Sequence, residues 1–215
     1  MDNKDTKIIL VEGNDDKHAL IHLMGHHINN WDDQNPPFAC EITNGYDAGP
    51  RKTGYITGKL KGEDVTTVGV IFDANGDFSG RWNRMKGLLR DSFPEMPDDM
   101  PVDGLVMENT EHKRLGIWIM PDNKSSGMLE TFLRWLVKEQ DQPLWEHAKT
   151  TKEKACELGA PCKDEPPEKA LIHTWLAWQA PPGISFGRAL QRSVLDPKAD
   201  CARAFANWMK RLCQL

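Results

Sequence analysis

The chain has 215 residues, 39% of them hydrophobic, enough to bury one sizeable core, which predicts a single structural unit. A net charge of −5 gives no global attraction to nucleic acid, so contact with it would have to come from a local basic patch. No apolar stretch is long enough to cross a bilayer, and Met1-Asp2-Asn3-Lys4-Asp5 is too polar for a secretory signal, so a cytoplasmic protein with no membrane association is expected.

The first predicted strand is Lys7–Val11. Its run Ile8-Ile9-Leu10-Val11 is continuously apolar, as in a parallel sheet covered on both faces, and Glu12-Gly13-Asn14-Asp15-Asp16 follows directly. Asp15–His27 reads as a crossover helix with Leu20, Leu23, Met24 and His27 on one face. Next come a strand over Phe38–Ile42 and a helix over Arg51–Leu60. The strand Thr67–Phe72 then ends in Asp73-Ala74-Asn75-Gly76-Asp77, and a helix over Gly80–Asp91 follows. Three prolines and several acids make Phe93–Asp103 a surface loop. Val102–Met107 and Leu115–Met120 are the last two strands, and Ser125 and Ser126 are positioned to cap a helix carrying Met128, Leu129, Phe132, Leu133 and Leu136.

After Glu139 the strand signals stop. Pro143–Leu158, Pro166–Trp178 and Pro197–Leu212 are helical in pattern, the last with Ala202, Phe205, Ala206, Met209, Leu212 and Cys213 on one stripe. The expected architecture is α/β: a mostly parallel, Rossmann-like sheet flanked by helices over residues 1–140, with a helical extension over 141–215 packed on it.

Strand C-termini of a parallel sheet share one edge, and ligands bind there. Glu12, Asp16, Asp73 and Asp77 can therefore meet in space, and converging carboxylates suit a hard cation, Mg²⁺ or Mn²⁺. Asn-Gly-Asp at 75–77 also makes an ordinary turn that needs no metal. Asp122 follows another apolar strand, where a carboxylate at a helix entrance is favoured by the helix dipole alone, and Glu130 lies off the apolar stripe of its helix, as a plain surface residue does. His18, His22 and His26 have the spacing of helical zinc ligands but no zincin motif, and a solvated polar face accounts for them. Trp175 and Trp178 fit a core. Five cysteines without a Cys-x-x-Cys are expected to be reduced. There is no Gly-x-Ser-x-Gly and no Gly-x-x-x-x-Gly-Lys phosphate loop, which argues against a serine hydrolase and an ATPase.

At Glu12-Gly13-x-x-Asp16 and Asp73-x-Asn75-x-Asp77 the chain resembles the Toprim domain of topoisomerases, primases and OLD-type nucleases, with an amide, Asn75, where that family has its middle acid. Gly116-Ile-Trp-Ile-Met-Pro-Asp-Asn123, Gly127-Met-Leu-Glu130, Ala170 through Trp178 and Pro181-Pro182-Gly183 resemble a small stand-alone bacterial Toprim family, DUF3226-like, over nearly the whole chain. The resemblance implies Mg²⁺- or Mn²⁺-dependent hydrolysis of a DNA or RNA phosphodiester. Glu12 and Asp73 would be catalytic, with Asp16, Asn75, Asp77, Asp122 and Glu130 as further metal ligands. Glu12 would also shuttle a proton, and Lys52, Lys59, Arg81 and Arg84 are candidates to hold phosphates. It leaves two alternatives: a non-catalytic binding module working with a partner such as an ATPase in bacterial defence, or a small-molecule phosphohydrolase. A topoisomerase is not expected, since it would need a tyrosine nucleophile on a further domain and the only tyrosines are Tyr46 and Tyr55. A primase is not expected for want of a zinc-binding domain.

Overall fold

Strands β1 (Thr6–Val11), β2 (Ala39–Ile42), β3 (Val65–Asp73), β4 (Leu105–Glu108) and β5 (Arg114–Met120) form one sheet in the order β2-β1-β3-β5-β4. All neighbours are parallel except β4, which runs antiparallel to β5 at one edge. The structure, a computed structural model, describes residues 6–43, 50–161 and 167–215, at 50–53 by the backbone alone. Helices α1 (Asn14–Met24), α2 (Pro50–Leu60) and α3 (Phe78–Leu89) alternate with the first strands. After β5 come α4 (Leu129–Trp135), α5 (Gln142–Glu157), α6 (Pro167–Ala177), α7 (Phe186–Gln191) and α8 (Asp200–Cys213).

Because side chains alternate along a strand, each apolar run feeds two cores. Ile8, Leu10, Val68, Val70, Phe72, Leu115, Ile117 and Ile119 pack with α2 and α3 on one face. Ile9, Val11, Ile71, Trp118 and Met120 pack on the other with α1 and with residues from every helix after β5. Phe205 and Trp208 of α8 pack against Trp118, with ring centroids 5.1 and 5.6 Å away. The helices that follow residue 139 thus share a core with the central strands.

A glycine saddle lets α8 lie this close. Gly69 of β3 and Gly116 of β5 are register partners. Both sit beneath Leu212, and a Cβ added at either would come within 2.7 or 2.4 Å of a Leu212 methyl. The C-terminal end of α8 is tied to the start of the sheet, where Lys7 Nζ donates to the Cys213 carbonyl at 2.6 Å and Arg114 Nη1 donates to the Arg211 carbonyl at 3.1 Å. Basic groups there also complement the helix dipole.

Several boundaries differ from the sequence pattern for identifiable reasons. β4 starts at Leu105 rather than Val102, because Gly104 has φ +84 and closes a turn back to Pro101, leaving Val102 exposed. α4 starts at Leu129, and Ser125, expected as a cap, instead bonds the Asp122 carboxylate. The short α7 carries no long apolar repeat and has no counterpart among the predicted elements. It packs closely on α1, and a Cβ on Gly187 would stand 2.8 Å from both His18 and His22. The histidine face is therefore only partly solvated. His22 Nδ1 is 3.1 Å from Asp33 Oδ2, and His26 Nε2 lies 2.8 Å from the Leu190 carbonyl. Trp178 is exposed, not core, and stacks on His147 at 5.3 Å between ring centroids. Cys40, Cys201 and Cys213 are free thiols, but Cys156 is in a disulfide, contrary to the expectation of reduced cysteines; its partner is outside the described residues.

Candidate functional site

β1 and β3 are parallel neighbours, so Glu12, just past β1, and Asp73, the last residue of β3, emerge at the same edge. The Asp73 backbone N–H donates to Glu12 Oε1 at 3.1 Å. Asp73 Oδ1 in turn accepts the Leu129 N–H at 3.0 Å, which joins the start of α4 to the end of β3. Asp16, one turn into α1, accepts the Gly13 N–H on Oδ2 at 3.0 Å. The printed contacts thus engage one oxygen of Glu12 and one of Asp73, while the Asp16 carboxyl is held by the N–H groups of Gly13 and of Asp16 itself. Glu130, on the first turn of α4, is 8% exposed.

These four acids line one cleft of about 430 Å³, together with Asp15, Asn75 and Lys169. The cost of crowding them shows in their proton affinities. Burial first, then the Glu12 charge and those of Asp16 and Glu130, push the Asp73 carboxyl up to about 8. Burial, Glu12 and Glu130 push Asp16 up to about 7, against the pull of two backbone N–H groups. The wall behind Asp16 explains its desolvation: Ala19, Leu20, Ile71 and Phe132 surround an apolar void of about 10 Å³, at the lower limit of what a water occupies.

The structure distributes the sequence-predicted residues unevenly. Glu12, Asp16, Asp73, Asn75 and Glu130 line the cleft; Asp77 and Asp122 do not. Asp77 is the N-cap of α3, its Oδ1 accepting the Gly80 N–H at 2.9 Å. Asp122 closes its own loop, accepting the Ser125 N–H at 2.8 Å and the Ser125 hydroxyl at 3.1 Å. Asn75 is at the cleft wall with φ +51, and its backbone exchanges hydrogen bonds of 2.7 and 2.8 Å with Gly127, stitching the β3–α3 turn to the loop before α4. Gly13 has extended backbone at φ −147, so its conformation does not require glycine; a Cβ there would stand 3.4 Å from Asp16 Oδ2.

Of the basic residues expected to hold phosphates, Lys59, Arg81 and Arg84 are absent from the cleft lining, and Lys59 pairs with Glu41 at 2.7 Å. The Lys52 side chain lies outside the described residues. Sequence reasoning missed Lys169, whose Nζ stands 3.8 Å from Glu130 Oε1. No local signal marks it. It sits in a helix almost forty positions after Glu130, and only the packing of α6 beside α4 places it there.

As a donor set the cleft is all hard oxygen, which fits Mg²⁺ or Mn²⁺ and not a thiol- or imidazole-seeking metal. Among the described residues, no three His, Cys, Asp or Glu side chains already stand in the arrangement of a metal cage, so a cation would have to draw the carboxylates inward.

A family model described as "Protein of unknown function (DUF3226)" matches residues 6–214. No curated protein and no solved structure matches the chain.

Proposed function

For this chain, which belongs to the DUF3226 family, we propose a Toprim-like divalent-metal site that hydrolyses phosphodiesters of DNA or RNA. One observation carries this reading: Glu12, Asp16, Asp73 and Glu130 converge on one open cleft at the C-terminal edge of a parallel sheet, with Asp16 and Asp73 held near neutral pH by burial and mutual repulsion. Carboxylates crowded at such expense and open to solvent mark a functional cleft more often than a structural one.

Glu12 and Asp73 would hold Mg²⁺ or Mn²⁺, with Asp16 and Glu130 completing the acidic wall. When bound, the metal supplies charge neutralisation at the phosphoryl oxygens and a water of lowered pKa. The backbone donors Asp73 N–H and Leu129 N–H fix one oxygen of Glu12 and of Asp73 and leave the other to face the ligand. By its resemblance to Toprim enzymes, Glu12 takes the proton-shuttling role.

The test is cleavage of a mixed DNA and RNA panel. Purified protein should cut with Mn²⁺, less well with Mg²⁺ and not with EDTA, and Asp73→Ala should abolish cutting. Equal degradation by wild type and Asp73→Ala, or no cleavage with any metal, would refute the nuclease. The second reading, a non-catalytic module that works with a partner such as an ATPase, is favoured by the amide at Asn75 and by the absence of a preformed three-ligand cage among the described residues.

A further inference from the structure

We infer that Lys169 is the resident counter-cation of the acidic cleft, and that it exchanges Glu130 for a phosphate oxygen once a divalent ion enters. The inference rests on the metal-site reading above and adds to it how the site selects an anion.

Five carboxylates line the cleft, Glu12, Asp15, Asp16, Asp73 and Glu130, and Lys169 is the only Lys or Arg that does so among the described residues. Its Nζ lies 3.8 Å from Glu130 Oε1, inside ion-pair range but beyond hydrogen-bond length. The two partners differ in freedom. The Glu130 side chain is 10% exposed, whereas that of Lys169 is 53% exposed at the mouth. Glu130 therefore stays while Lys169 can swing.

A single positive charge beside an acidic wall has opposite effects on two ligands. It competes with an incoming cation for Glu130 and repels that cation. It attracts an anion, which the bare wall repels until metal is present. The Nζ of lysine is a compact point charge with three donors on a flexible stem, suited to following a phosphate rather than to fixed two-point recognition. Helix α6 thus contributes the anion-anchoring group of a site whose acids come from the sheet edge, α1 and α4. A lining with one Lys and no Arg among the described residues matches a single phosphate group held at the metal.

Calorimetry on the full chain tests this with Mn²⁺ alone, then with inorganic phosphate in Mg²⁺ buffer. Lys169→Gln should bind Mn²⁺ roughly three- to ten-fold more tightly, because a competing charge is gone, and phosphate about ten-fold more weakly. Lys169→Arg, which keeps the charge, should stay near wild type for both. Metal-free melting curves confirm that each variant is folded, as expected for a half-exposed side chain. If wild type takes up no Mn²⁺, the metal reading and this inference both fall. If wild type binds Mn²⁺ but Lys169→Gln matches it in both affinities, or binds Mn²⁺ more weakly, the Lys169 assignment alone is overturned.

Discussion

Glu12 and Asp73, 61 positions apart in sequence, are joined directly: the backbone N–H of Asp73 donates to Glu12 Oε1 at 3.1 Å. The bond closes the gap between two parallel strand ends and holds the Glu12 carboxylate at the Asp73 backbone. The attraction is to a backbone dipole, so it places the two acids side by side without neutralising either. The Glu12 charge is accordingly the largest cause after burial of the raised Asp73 proton affinity.

That raised affinity sets a pH dependence in metal-free buffer. Between an ordinary carboxyl value of 3.8 and about 8, native Asp73 binds more protons than it does in the unfolded chain, so stability falls as pH rises through this window. Asp16 adds the same sign up to about 7. Asp73→Asn should therefore raise the melting temperature in EDTA far more at about pH 9 than at about pH 5. A shift of the same size at both pH values would show that burial and the Glu12 charge do not hold a proton on Asp73. Mn²⁺ affinity should move oppositely, strengthening with pH as the metal displaces those protons.

Asp77 and Asp73 should separate cleanly. Asp77→Ala removes the α3 cap and should cost about 1 kcal/mol in urea unfolding while leaving Mn²⁺ affinity unchanged. Asp73→Ala should abolish Mn²⁺ uptake. Loss of uptake in Asp77→Ala as well would return Asp77 to the ligand set.

Asn75 tolerates an acid on backbone grounds, since φ +51 is a conformation that Asp adopts almost as readily as Asn. Asn75→Asp should strengthen Mg²⁺ binding several-fold by adding a charged oxygen at the cleft wall, and should raise Mg²⁺-supported cleavage toward the Mn²⁺ rate. Unchanged Mg²⁺ affinity would mean that the residue at 75 does not reach the ion.

The glycine saddle makes a packing prediction. Gly116→Ala places a Cβ 2.4 Å from a methyl of fully buried Leu212, and should destabilise by about 1–3 kcal/mol. Leu212→Ala alone should cost about 2–5 kcal/mol, and the double variant less than the sum, since the added methyl occupies vacated space. Strict additivity in denaturant unfolding would show that Leu212 is not seated on that glycine.

Much of the fold was legible in local sequence. The five apolar runs each became a strand, and the amphipathic stripe Ala202–Phe205–Met209–Leu212 became a buried face of α8, because period-2 and period-3.6 patterns record which side of an element meets the core. The strand-end positions of Glu12 and Asp73 were likewise fixed by where the apolar runs stop. Sequence alone could not decide which nearby polar groups face the cleft. Asp73 and Asp77 are four residues apart in one acidic motif, yet the turn at Asn75 sends one carboxylate to the cleft and the other to cap a helix. Nor could it show that Lys169 stands beside Glu130, or that Gly187 brings α7 against the histidine face of α1. Those contacts join residues far apart in the chain, and they exist only because each helix must bury its apolar stripe against the sheet, which fixes where its polar residues end up.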